Sequence, residues 1–122
     1  FTVDEIMKRQ KLSQKAAEKE QARLALVQAK VALEWGAPLW LWWSIFNSND
    51  GQDTFGLVDQ QTGRRRPLLR ELHTYYEWAG RFVDAFRRDH GRLPDPAAFR
   101  GPAIEQLGHQ IKRLAADSPR GP

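Results

Sequence analysis

The run Gly36-Ala-Pro-Leu-Trp-Leu-Trp-Trp-Ser-Ile-Phe-Asn47 limits the folds open to this chain more than any other stretch. It holds three of the five tryptophans, and Gly36 and Pro38 stop a helix ahead of it. Residues 38–46 are too few for a stable amphipathic helix and carry no helical repeat. Their pattern predicts a strand buried on both faces, as strands in parallel sheets usually are. Alternation puts Leu39, Leu41, Trp43 and Ile45 on one face and Trp40, Trp42, Ser44 and Phe46 on the other. Neither face is polar, so such a strand needs cover above and below. The rest of the chain offers helices for that cover.

Residues 2–35 read as helix. Thr2 with Glu5 forms a capping-box pair, and Ser13 is a competing start. Residues 3–20 are largely charged. From Ala22 onward a broad apolar arc of Ala22, Ala25, Leu26, Ala29, Ala32 and Leu33, widened by Leu24, Val27 and Val31, leaves only a narrow wedge for Arg23, Lys30 and Glu34. That breadth predicts a helix covered on most sides, as when it lies against a sheet between two neighbouring helices. After the apolar run, Asn47-Ser-Asn-Asp-Gly-Gln-Asp-Thr54 is a polar loop rich in turn formers. Phe55-Gly-Leu-Val-Asp59 reads as a short extended segment and Gln60-Gln-Thr-Gly63 as a turn. Pro67 opens a helix that Gly91 ends, with Leu68, Leu69, Leu72, Tyr75, Tyr76, Ala79, Phe82, Val83 and Phe86 on its apolar side. Asp95 caps a short helical turn begun by Pro96, and Gly101-Pro102 begins a last helix striped by Ile104, Leu107, Ile111 and Leu114.

Composition narrows the chemistry. A chain of 122 residues supports one small domain. The net charge of +4 comes from arginine and lysine interleaved with acids, and Arg64-Arg65-Arg66 is the only dense basic run. It sits in a turn, where a solvated role outweighs phosphate binding, so nucleic acid is not an expected partner. The absence of cysteine excludes a disulfide scaffold and a thiolate metal site and leaves the compartment open. No stretch reaches the roughly 20 apolar residues of a membrane helix. His73, His90 and His109 lack ligand spacing and read as surface histidines, so neither metal nor cofactor is expected. Phe1 in place of Met suggests a processed or excised piece.

Helix, buried strand, polar loop, short extended segment, turn and helix is the order of a βα unit with a decorated loop at the strand's carboxyl end, where closed parallel barrels hold their active sites. Residues 36–47, then Phe55-Gly-Leu-Val-Asp59, then Gly63 with Arg66-Pro67 and Leu72, resemble the close of a (β/α)8 glycoside hydrolase of the cellulase-like superfamily. The resemblance covers residues 22–86. It implies an α/β fold: residues 1–90 as the C-terminal part of a TIM-barrel catalytic domain, with the last strand, a short β segment and flanking helices, and residues 91–122 as a helical extension. It implies Trp43 as a sugar-platform residue, with Asn47, Asn49 and Asp50 as hydroxyl partners. Trp43 is otherwise core, and the three polar residues are otherwise turn formers. Trp40 and Trp42 read as packing against outer helices, and Trp35 and Trp78 as packing within helices.

Glycosidases of this kind work through two carboxylates, about 5 Å apart in retaining enzymes. Glu34, Glu71, Glu77 and Glu105 all fall on expected helices, and nothing marks Asp50, Asp53 or Asp59 as a nucleophile. The resemblance therefore implies hydrolysis of a β-linked oligo- or polysaccharide with both catalytic carboxylates upstream of Phe1, and the N-terminal remainder of the same barrel as partner. Two rival readings stand beside it: a non-catalytic helical interaction module, and nucleic-acid binding through Arg64 to Arg66 and the last helix.

Overall fold

Three of the four described helices start on a side-chain cap, and the other starts on a proline. The computed structural model describes residues 2–37, 40, 56–59 and 62–116. Helix α1 spans Val3–Gln10 and opens on the full capping box, Thr2 Oγ1 accepting from the Glu5 N–H and Glu5 from the Thr2 N–H. It does not run on to Trp35 as expected. Lys11 turns left-handed (φ 53°), and Ser13 caps a second helix through the Ala16 N–H. The two competing starts are both used. Helix α2, Gln14–Glu34, is about 31 Å long at 1.5 Å per residue. Helix α3, Pro67–His90, starts on its proline and stops at Gly91, left-handed at φ 69°, as expected.

Helix α4, Pro96–Ala116, is one element where two were expected. Asp95 caps it, its Oδ1 accepting from the Ala98 N–H at 2.8 Å. Pro102 lies inside the helix rather than beginning a new one. A proline there forfeits one backbone hydrogen bond, to the carbonyl four residues back, without ending the helix when flanking turns hold.

The α/β expectation is overturned. The described residues form four helices and no strand, so the chain is a helical protein and not part of a (β/α)8 barrel. One isolated antiparallel bridge, Val58 to Arg65, is their only β pairing. The physical reason lies in the partner of α2. Its alanine-rich face was expected to lie against a sheet, but α4 packs there more extensively than any other pair of elements meets. Ala22, Ala25 and Ala29 carry no bulk to hold a facing helix away, and Leu26 fills the gap against Leu107 and Leu114. The expected strand, Trp40 apart, lies outside the described residues.

The hydrophobic core is therefore the α2–α4 seam, joined by Leu68 at the start of α3 and Leu57. A smaller cluster of Val3, Ile6 and Ala17 fixes α1 to the first turns of α2. The Gly56-to-Pro67 connection is secured by charge. Glu18 (1% exposed) accepts from Arg66 Nε (2% exposed) at 3.0 Å and from Arg64 Nη2 at 2.7 Å. Arg66 Nη1 also donates to the Gly56 carbonyl at 2.6 Å. Two of the three arginines expected in solvent thus hold the turn to α2. On the other side of the bundle, Glu71 accepts from Gln110 Nε2 at 3.0 Å and from Arg113 Nη2, tying α3 to α4.

Candidate functional site

Beyond its first turns α3 leaves the core. Its buried residues are Pro67, Leu68 and Glu71, and everything C-terminal to them is half-buried or exposed. The divergence opens an apolar groove of about 650 Å³ between the second half of α2, the middle of α3 and the start of α4. Leu26, Ala29 and Leu107 floor it from the core. Leu33 and Leu72 form facing walls, and Trp40 and Ala37 close the end beyond α2. That size and lining match small-molecule pockets, which run from about 300 to 1,000 Å³ and are mostly apolar.

Helix periodicity places an aromatic row along α3 that reaches the groove only at Tyr75. Tyr75, Trp78, Phe82 and Phe86 recur at three and four along α3, and their ring centroids lie 5.5–6.3 Å apart. Phe99 of α4 meets this row at Trp78 (5.6 Å) and Phe82 (5.8 Å), which fixes the start of α4 against α3. Tyr75 ends the row at the groove and contacts Tyr76 edge-on at 5.8 Å. Burial first, and the neighbouring Tyr76 second, raise the Tyr75 phenol above the ordinary tyrosine value.

Among the described residues the polar side chains at the groove are few: the two tyrosines, Arg100 and Asp95. Gly36 is left-handed at φ 81°, and the Arg100 guanidinium lies 3.8 Å from where a β-carbon on Gly36 would stand. Arg100 therefore reaches across the mouth toward the end of α2, whose last turn has no basic residue. A cation there is favoured by the partial negative charge of a helix C-terminus.

The sequence-expected sugar contacts Trp43, Asn47, Asn49 and Asp50 lie outside the described residues. Trp40 packs on the core as expected, and Trp78 lies in the aromatic row. Trp35 departs from expectation: it caps the end of α2 with 87% of its surface exposed, beside half-exposed Val31 one turn earlier. His73, His90 and His109 are exposed as expected, and no group of metal-binding side chains occurs among the described residues. Glu18 and Glu71, the buried carboxylates among the described residues, are both engaged with arginine, which suits anchoring rather than proton transfer. No helix among the described residues is long and apolar enough to cross a membrane. Periodicity marked Leu33, Leu72 and Tyr75 as core-facing, so it found the groove's walls but not the gap between them. Compared with protein-family models, curated proteins and solved structures, the chain has no match.

Proposed function

We propose that this chain is a non-catalytic helical binding module whose groove between α2, α3 and α4 receives an apolar guest. One observation carries the reading: an apolar groove of about 650 Å³ floored by buried Leu26, Ala29 and Leu107 and walled by aromatic side chains. Such a surface gains by excluding water, about 25 cal/mol for each Å² of apolar area covered. The engagement of both buried carboxylates by arginine supports a binding rather than a catalytic role.

The test is a titration with 1-anilinonaphthalene-8-sulfonate, on the chain and on Ala32→Trp. Ala32 lines the groove and is only half-buried, so a large side chain there fills space without entering the core. Saturable binding that disappears in Ala32→Trp, with the unfolding midpoint unchanged, is the expected result. Binding that survives the substitution would place the apolar site elsewhere and end this reading.

A second reading keeps the glycoside hydrolase resemblance without the barrel placement, with the chain as a helical, non-catalytic part and the carboxylates upstream. The local geometry of the resembling string favours it. Around the Val58–Arg65 bridge, Arg66 N–H donates to the Leu57 carbonyl at 2.9 Å and Asp59 N–H to the Arg64 carbonyl at 2.8 Å. Gly63 turns left-handed at φ 72° between them, and α3 starts on Pro67. Cellohexaose, titrated against tryptophan fluorescence, should then give a saturable change that Trp43→Ala removes. A flat titration in the presence of the upstream part would rule it out.

A further inference from the structure

We propose that the guest of the groove is an elongated apolar molecule ending in a carboxylate, with Arg100, Tyr75 and Tyr76 receiving its charged end. The inference rests on the groove being a binding site and adds the chemical class of what enters it. Three donors border the groove: the half-buried Arg100 guanidinium, the half-buried Tyr75 hydroxyl and the exposed Tyr76 hydroxyl. None of the three has a hydrogen-bond or ion-pair partner among the described residues. The one acidic residue at the groove among the described residues, Asp95, already caps α4 through the Ala98 N–H. Among the described side chains, donors therefore outnumber free acceptors at the rim, while the walls are mainly apolar.

A molecule that satisfies this lining has an apolar body and an acceptor-rich end. A carboxylate suits the guanidinium best, because the planar fork binds both of its oxygens and charge assistance roughly doubles the strength of each hydrogen bond. The Arg100 guanidinium already stands at the mouth, beside Gly36 just past the end of α2, so its charge is in place before a guest arrives. The apolar body would then lie along Leu33 and Leu72 toward the floor at Leu107.

Octanoate and 1-octanol share an alkyl chain and differ in charge, so calorimetric titration of both reads the two parts of the site separately. Octanoate is expected to bind about tenfold tighter than 1-octanol, as a charge-assisted contact implies. Arg100→Gln should remove that preference and leave 1-octanol affinity unchanged. Arg100→Lys should keep part of it, and Tyr75→Phe should cost octanoate a few-fold. Equal affinity for the two ligands, or equal weakening of both by Arg100→Gln, would overturn the carboxylate assignment while leaving the apolar groove standing. Binding of neither ligand would remove both the assignment and the binding-module reading on which it rests.

Discussion

Glu18 is the residue on which the connection between α2 and α3 depends. It carries one negative charge at 1% exposure and is shared by two arginines of very different surroundings. Arg66 is as buried as its partner, so Glu18→Gln removes the carboxylate charge that faces a guanidinium held away from water. Removing one charge of a buried pair costs about 3–5 kcal/mol. Arg64 is 48% exposed, and Arg64→Ala should cost about 1 kcal/mol or less because solvent screens the lost pair. Urea unfolding of the two variants checks this ordering; similar losses would mean that the charge on Arg66 is not the reason for the pairing. Tyr75 gives a second prediction at this scale. Its phenol is raised in the folded chain, so the unfolded chain ionises first, near the ordinary tyrosine value of about 10. The folded state then binds the extra proton, and stability present below that pH is lost as pH climbs through the folded value. Tyr75→Phe should flatten the difference in urea midpoint between pH 9 and pH 11; an equal fall in both proteins would mean that other groups cause it.

Among the elements, α4 holds the clearest local conflict. Pro102 stands in its interior, where proline is up to about 3 kcal/mol less favourable than alanine. Pro102→Ala restores an N–H to the Ala98 carbonyl and should stabilise the chain by about 1–3 kcal/mol, read as a higher thermal midpoint. A lowered midpoint would instead mean that the half-buried ring contributes packing worth more than the recovered bond. The conflict also shows what was legible beforehand. The Thr2–Glu5 box, the Ser13 cap, the Pro67 start, the Gly91 stop and the Asp95 cap all operate within a few residues, so sequence reveals them directly. The break at Gly101-Pro102 was misplaced because local chemistry favours it and only contact with α2 overrides it. The broad arc of α2 was equally visible, but its cover was taken for a sheet. Periodicity states how much of a helix must be covered and not by what, and small alanines admit a close helix as readily as a strand layer. The Glu18–Arg66 pair joins positions 48 apart, and no local signal links them. The candidate site was less legible still, since a groove consists of what three separate helices fail to fill.

At the scale of the molecule, α2 is the hub: α1, α3 and α4 all pack on it, while α3 and α4 meet more lightly. The consequence is an uneven distribution of stability. Segments open at a free energy set by their buried contacts, so amides of the α2–α4 seam should exchange only through global unfolding. Helix α3 is about 36 Å long at 1.5 Å per residue, yet its buried anchors stop at Glu71. Its last three turns are held by the row from Trp78 to Phe86 and by Phe99 across the gap. Hydrogen exchange followed by mass spectrometry should therefore find residues 78–90 exchanging well ahead of residues 18–29 and 103–114. Phe99→Ala should widen that difference, because it removes the α4 ring that touches both Trp78 and Phe82. Uniform exchange along α3 and α4, unaffected by Phe99→Ala, would mean that the helices open as one cooperative unit. The expected pattern bears on binding as well. A guest in the groove touches α2, α3 and α4 at once, so octanoate should slow exchange around residues 72–76 more than in the seam, where protection is already at its limit.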